Sequence, residues 1–152
     1  MDQPVHPGLT DEAIADRLRE AGLRVTKSRV AVYRVLHESD GHLSVDEIVE
    51  LVAARGERYP RMTVYNIIAR FLGAGLVMQA DAGPGRALYE IAERWHHHFV
   101  CRVCGSVYDV PCVVGRKPCL EPDASDIGEV DEAQIIFRGV CTACTSSPHH
   151  EN

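Results

Sequence analysis

Two C-x2-C pairs constrain this chain more than any other feature of its sequence. Cys101 and Cys104 form the first pair, and Cys141 and Cys144 form the second. Each pair follows a strand-like run, so both can meet at one sheet edge. Four thiolates suit tetrahedral zinc, and a site filled by protein ligands is structural rather than catalytic. Two disulfides or free buried thiols are the alternatives, but clustered cysteines in a cytosolic chain favour a metal.

The composition is that of a globular protein. The 152 residues are 45% hydrophobic and 25% charged, which suits one ordinary domain or two small ones. No apolar run approaches the roughly 20 residues that span a membrane. The N-terminus lacks the basic and apolar regions of a signal peptide. We therefore expect a cytoplasmic protein without a membrane partner.

Positive charge is concentrated near the N-terminus. The formal net charge is −6, yet residues 17–34 carry six positive side chains against Glu20 alone. A basic patch on an acidic protein indicates a specific anionic partner that binds one face. A solvated helix face is the alternative interpretation.

Apolar periodicity predicts an N-terminal winged helix-turn-helix domain over residues 1–91. Three helices are expected, beginning at Thr10, at Thr26 or Ser28, and at a capping box of Ser44 with Glu47. A fourth runs from about Pro60 to Leu72. The runs "LVMQAD" and "RALYEI" around "AGPG" predict a hairpin, which would be the wing. A small helical bundle with a hairpin is the alternative.

The fourth helix is the expected recognition helix, since it directly precedes the wing. Its inward stripe is predicted to be Val64, Ile68, Phe71 and Leu72. Lysine and arginine would contact phosphates, whereas tyrosine and asparagine could reach base edges. The expected DNA-binding residues, on or beside this helix and the second one, are Lys27, Arg29, Arg61, Tyr65, Asn66 and Arg70.

The predicted fold class is α+β, because short strand-like runs over residues 92–152 indicate a second, small domain. It is too small to be held by its core alone, so a metal or a dimer interface should stabilise it. In the strand "HHHFVC", His96 and His98 would face one side and His97 the other. Imidazoles with nearby carboxylates such as Asp109 form a borderline-hard site for divalent iron, manganese, zinc or nickel.

Two further cysteines, Cys112 and Cys119, each follow a proline in turn-like positions. They are interpreted as inert small hydrophobic residues, a possible redox pair or alternative metal ligands. Accessible positions would favour oxidation.

The chain resembles the ferric uptake regulator family of bacterial metal-responsive repressors over nearly its whole length. The motifs that carry this resemblance are "GLRVTKSRVAVYRVL", "HLSVDEI", "MTVYNIIARFLGAGLV", "YEIAERWHHHFVCRVCG" and "GVCTAC". The histidine–cysteine segment with its closing C-x2-C pair is highly specific, whereas the helix-turn-helix part alone is not.

The resemblance implies a homodimer whose C-terminal α/β domain is the dimerisation domain, with double-stranded operator DNA as the partner. Tyr65 matches a recognition-helix tyrosine that contacts bases. The four paired cysteines match the family's structural zinc ligands. The family's regulatory site is matched by His42, Glu90, His96, His98 and Asp109. This site would bind Fe2+ or Mn2+, or alternatively Zn2+ or Ni2+.

Within the family, "HHHFVCRVCGSVYDVPCVVGRKPCL" is similar to the branch linked to catalase-peroxidase genes, which is associated with peroxide response. That branch also carries cysteines at the places of Cys112 and Cys119. Three departures stand out: Asn66 replaces a frequent arginine, Glu90 replaces the aspartate of the best-known peroxide sensors, and residues 113–132 have weak helix signal. Histidine oxidation and thiol oxidation therefore both remain open.

The expected function is a metal-dependent DNA-binding repressor that responds to iron or peroxide and controls oxidative-stress or metal-homeostasis genes. A zinc, manganese or nickel-responsive relative is the alternative. A zinc hydrolase is remote, because the sequence has no HExxH-type helix and no obvious nucleophile with its base. We therefore do not expect an enzyme. A zinc-ribbon module without DNA binding conflicts with the basic second helix.

Overall fold

The computed structural model describes residues 8–39, 41–93, 96–120, 123–124 and 126–146. The chain divides into two compact units, Met1–Glu93 and Arg94–Asn152. The first is mainly helical and ends in a hairpin, and the second contains a small sheet. The predicted α+β fold class is confirmed. The assignment of DNA binding to one unit and dimerisation to the other stays a prediction.

Within its described residues, the first unit has four helices, whose N-termini the sequence predicted closely. They are α1 (Asp11–Glu20), α2 (Lys27–Glu38), α3 (Val45–Ala54) and α4 (Arg61–Gly73). The Thr10, Thr26 and Ser44 side chains accept hydrogen bonds from backbone N–H groups of the first turns of α1, α2 and α3. Thr26, rather than Ser28, therefore caps α2. Such caps satisfy amide groups that the helix itself leaves unpaired.

The buried face of α4 differs from the prediction at one position. Val64, Ile68 and Phe71 are buried as expected, but Leu72 is only partly buried and Ile67 is buried instead. Positions 64, 67, 68 and 71 lie on one narrow stripe at 3.6 residues per turn. Leu72 lies at the edge of that stripe, which explains its partial exposure.

The predicted wing is an antiparallel hairpin of β1 (Val77–Asp81) and β2 (Ala87–Ile91). The loop before α3 joins it, because Leu43 and Tyr89 exchange backbone hydrogen bonds of 2.9 and 2.8 Å. This pairing fixes the residue that follows His42 against the strand that carries Glu90.

The described part of the second unit contains a three-stranded sheet and a short helix. The strands are β3 (His96–Cys101), β4 (Val107–Pro111) and β5 (Ile136–Gly139), and the helix is α5 (Thr142–Thr145). The central strand, β3, is antiparallel to β4 and parallel to β5. Between β4 and β5 the described residues form turns and bends without a helix, in line with the weak helix signal there.

None of the described helices is long and apolar enough to cross a membrane.

Candidate metal centres and a basic groove

The four paired cysteines converge at one end of the second unit's sheet. Cys101 ends β3, and its parallel neighbour β5 ends two residues before Cys141. The four Sγ atoms lie within 4.8 Å of one another, and those of Cys104 and Cys141 are 3.8 Å apart. Thiolates around a zinc ion with bonds of about 2.3 Å are separated by roughly 3.8 Å. All four thiols are free, so the geometry fits a tetrahedral cation rather than two disulfides.

The pKa values of the thiols in this cluster also favour a bound cation. Backbone N–H groups, that of Cys104 foremost, lower the pKa of Cys101 to about 6. The Ser106 hydroxyl lowers the pKa of Cys104. The Cys141 thiol, followed by burial, raises the pKa of Cys144 to about 12. Neighbouring thiolates repel one another, so the fourth ligand ionises near neutral pH only if a cation offsets that repulsion.

In the first unit, His42 and Glu90 form a nearly buried pair. His42 Nε2 lies 3.1 Å from Glu90 Oε2, and the two side chains are 6% and 11% exposed. The Leu43–Tyr89 backbone pairing places them together, because each residue is a direct neighbour of that bridge. The pair offers one imidazole and one carboxylate to a divalent ion.

In the second unit, His96, His98 and Asp109 form a corresponding group. The His96 and His98 rings share one face of β3, with centroids 4.9 Å apart. Asp109 on β4 pairs in register with His98. Its Oδ1 lies 3.2 Å from His96 Nε2 and 3.7 Å from His98 Nε2. This is a donor set of two imidazoles and a carboxylate, which suits divalent iron, manganese or zinc.

The other face of β3 carries a group that the sequence did not predict. His97 lies with Cys112 and Cys119, and the potential ligand atoms of the three are within 4.8 Å of one another. Strand alternation indicated that His97 points away from His96 and His98. It could not indicate what His97 meets there, because the partners come from an irregular loop.

A shallow groove in the first unit brings part of the predicted DNA-binding set together. Its volume is about 370 Å³. The polar residues that line it lie at the start of α2 and on α4, and they are Arg24, Thr26, Ser28, Arg29, Thr63, Asn66 and Arg70. Three predicted residues, Arg29, Asn66 and Arg70, are among them. The other four, Arg24, Thr26, Ser28 and Thr63, were not predicted as DNA-binding residues, although Arg24 belongs to the basic stretch noted in the sequence.

The other predicted DNA-binding residues do not line this groove. Lys27 forms an ion pair of 3.2 Å with Glu57. Arg61 Nε donates to Asp46 Oδ1 at 2.7 Å. Tyr65 is 47% exposed on α4. Lys27 and Arg61 therefore each contact a carboxylate. A DNA phosphate would have to displace that carboxylate before it could bind either side chain.

The chain combines a winged-helix unit that has a basic groove with a sheet that carries thiol and histidine–carboxylate groups. This combination defines a class of metal-binding winged-helix proteins. The model of the "Ferric uptake regulator family" matches residues 20–113. The chain belongs to this family, which confirms the resemblance to the ferric uptake regulators. The match ends two residues beyond β4, at the beginning of the segment that connects β4 to β5.

Known relatives cover most of the chain. "Transcriptional regulator FurA" of Mycobacterium tuberculosis is 36% identical over 135 residues, which cover 88% of this chain and 90% of the relative. The ferric uptake regulator of Pseudomonas aeruginosa, solved with manganese, is 25% identical with a TM-score of 0.65 and covers 85% and 98% of the two chains. A zinc uptake regulator complexed with zinc and DNA shares the fold, with 20% identity, a TM-score of 0.67 and coverage of 89% and 92%.

Family membership makes the chain a metal-responsive transcriptional regulator. It favours this function over the hydrolase and over a zinc ribbon without DNA binding.

Proposed function

We propose that this protein is a metal-dependent repressor whose regulatory ion is bound jointly by its two units. The observation that carries the proposal is the division of the donor set. His42 and Glu90 pair in the first unit, while His96, His98 and Asp109 cluster in the second. Neither group alone supplies the four to six donors that divalent ions of this class take. One ion bound by both groups would be fully coordinated.

The donor types favour Fe2+ or Mn2+ as the regulatory ion, with Zn2+ or Ni2+ as alternatives. For the thiol cluster of Cys101, Cys104, Cys141 and Cys144 we propose a structural Zn2+. A thiolate cage without an open position holds zinc for stability rather than for chemistry. The two ions would therefore have separate roles.

Ligands from both units that bind one ion hold those units in a single relative orientation. An ion shifts a conformational equilibrium only by its differential affinity for the two states. A switch from 1:99 to 99:1 needs about 5.5 kcal/mol. In a homodimer, the selected orientation would place two α4 helices in successive major grooves, roughly 34–36 Å apart. This links metal occupancy to operator binding.

DNA contact is proposed for α4 and the basic groove. Arg29 and Arg70, together with Arg24, would neutralise phosphates and make the affinity salt-dependent. Tyr65 is exposed, and Asn66 lines the groove, so both can reach base edges. Asparagine pairs with the N6 and N7 edge of adenine. Lys27 and Arg61 would contribute less, since each already has a carboxylate partner.

We further propose that this repressor responds to peroxide. Oxidation of a ligand histidine would remove one donor, weaken the bias towards the DNA-binding orientation and release the operator. The motive is the resemblance of residues 96–120 to the catalase-linked branch of the family. The genes controlled would then belong to oxidative stress or metal homeostasis.

The test is operator binding by variants of the second unit's ligand group. The probe is DNA from upstream of the protein's own coding sequence, titrated with and without Mn2+ as a redox-silent ion. We expect Mn2+ to tighten binding at least about tenfold, which equals about 1.4 kcal/mol. His96→Ala and Asp109→Asn should lose this enhancement while they keep their zinc content and thermal unfolding profile.

Asp131→Asn is the matched control. It removes an exposed carboxylate from the same unit, outside the ligand group, and should respond to Mn2+ like the wild type. Full metal dependence in His96→Ala would overturn the shared-ion proposal. Equal loss of metal dependence in Asp131→Asn would show a general charge effect instead.

A further inference from the structure

The group of His97, Cys112 and Cys119 is separate from both proposed metal centres. His97 lies on the face of β3 opposite to His96 and His98. Cys112 directly follows β4, and Cys119 lies in the loop beyond it. Both cysteines are free and partly exposed. Neither structural zinc nor the regulatory ion explains why two thiols meet an imidazole here.

Two hydrogen bonds define the tautomer of His97. The Ile135 N–H donates to His97 Nδ1 at 3.1 Å, so Nδ1 carries a lone pair. The ring proton must then sit on Nε2, which lies 3.1 Å from Cys119 Sγ. His97 therefore donates an N–H to the Cys119 sulfur, and this contact fixes the position of that sulfur.

The same tautomer disfavours a third cation site. A metal bound at Nε2 needs that lone pair free, with the remaining proton on Nδ1. A protonated Nδ1 would point at the Ile135 N–H, and two donors would face each other. The geometry thus favours thiol chemistry over metal binding at this cluster.

Cys112 is held by a turn that folds back on its sulfur. The Gly115 N–H donates to Cys112 Sγ at 3.4 Å. Gly115 has a φ of +73°, a backbone conformation that residues with a Cβ rarely adopt. This N–H lowers the pKa of the Cys112 thiol. A partly exposed thiol with thiolate character is the reactive form of cysteine.

We propose that Cys112 and Cys119 form a peroxide-oxidisable dithiol, with His97 as the residue that positions the resolving sulfur of Cys119. The Cys112 thiolate attacks one oxygen of hydrogen peroxide, the O–O bond breaks, and hydroxide leaves. Cys112 becomes a sulfenic acid. The Cys119 thiolate then attacks the Cys112 sulfur, forms the S–S bond and expels hydroxide. Two thiols and one peroxide thus give one disulfide and two waters.

The test uses the full-length chain with its zinc retained and other divalent ions removed by dialysis. Without iron at the regulatory group, a failure here is distinguishable from a failure of the metal-dependent repressor proposal. After treatment with stoichiometric hydrogen peroxide, peptide mass spectrometry should show a Cys112–Cys119 disulfide within one chain. Zinc content should stay constant.

Substitutions separate the two thiols. Cys119→Ser should stop at a sulfenic acid on Cys112, which dimedone traps. Cys112→Ser should lose disulfide formation. Val113→Ser, which changes a side chain that is 99% exposed between the two cysteines, is the control and should oxidise like the wild type.

Two further substitutions test His97. His97→Leu should slow disulfide closure at least about tenfold while sulfenic acid formation continues at its wild-type rate. His97→Gln, which keeps an N–H donor near the position of Nε2, should restore part of the closure rate. A purely structural role for His97 would slow both steps alike in both variants.

Two results would overturn the proposal. One is oxidation of the four-cysteine thiol cluster with zinc release while Cys112 and Cys119 stay reduced. The other is a second zinc ion per chain that is lost in Cys119→Ser, which would make the cluster a cation site.

Discussion

Cys112 and Cys144 are the same chemical group in opposite electrostatic environments. A backbone N–H from Gly115 lowers the pKa of Cys112, whereas the Cys141 thiol and burial raise the pKa of Cys144 to about 12. Amide donors stabilise a thiolate, and neighbouring thiolates destabilise it. The Cys112 thiolate therefore forms at lower pH than that of an ordinary cysteine, while Cys144 becomes a ligand only beside a cation.

The pH dependence of alkylation tests this contrast at Cys112. Because its pKa is lowered from 9.0, the thiolate persists to lower pH than in an ordinary cysteine. Its rate with iodoacetamide, measured in Cys119→Ser, should reach half of its plateau below the midpoint of a peptide spanning 110–116. A midpoint equal to or above that of the peptide would contradict the Gly115 interaction.

The N-terminus of α3 links a local sequence signal to a ligand pair. Ser44 Oγ accepts from the Glu47 N–H at 3.1 Å and donates to Glu47 Oε1 at 3.1 Å. Two residues earlier lies His42, held by the Leu43–Tyr89 bridge beside Glu90. The cap thus defines where the helix begins and where the loop with the ligand ends. The capping box was predictable from the sequence, since it depends only on near neighbours, whereas the His42–Glu90 pair depends on the bridge to a distant strand.

Removal of that cap should destabilise the first unit. Ser44→Ala leaves the Glu47 N–H without its acceptor and should lower the free energy of unfolding by about 1 kcal/mol. Chemical denaturation followed by far-UV circular dichroism measures the loss. Ser44→Asp retains an acceptor and serves as the control. A Ser44→Ala variant as stable as the wild type would show that solvent replaces the cap.

The molecule combines two units that differ in what stabilises them. The main hydrophobic cluster lies in the first unit and includes Ile14, Val32, Ile48 and Phe71. In the described part of the second unit, the buried apolar residues are Val100, Cys101 and Cys141. So small an apolar core needs another source of stability, and zinc binding free energy is folding free energy in such a module.

Loss of the proposed structural zinc should therefore unfold the units unequally. Cys144→Ser, or a strong chelator, should expose the second unit to proteases and abolish dimerisation, while a fragment close to residues 8–93 stays protected. Limited proteolysis with mass spectrometry and sedimentation would show both effects. Ser146→Ala, at the end of α5, is a control outside the cluster. A zinc-free Cys144→Ser protein that stays a protease-resistant dimer would rule out the structural role.

Local chain geometry explains what the sequence by itself determined. Caps, helix spacing, strand alternation and each C-x2-C pair act over a few residues, so α1 to α4, the hairpin and the four thiol ligands could be predicted, whereas the short helix α5 was not. Only the tertiary structure decided that Ile67 rather than Leu72 is buried, that Lys27 and Arg61 face carboxylates, and that His97 meets Cys112 and Cys119. Those contacts depend on the path of irregular segments and on distances through space. No periodicity in the sequence encodes such distances.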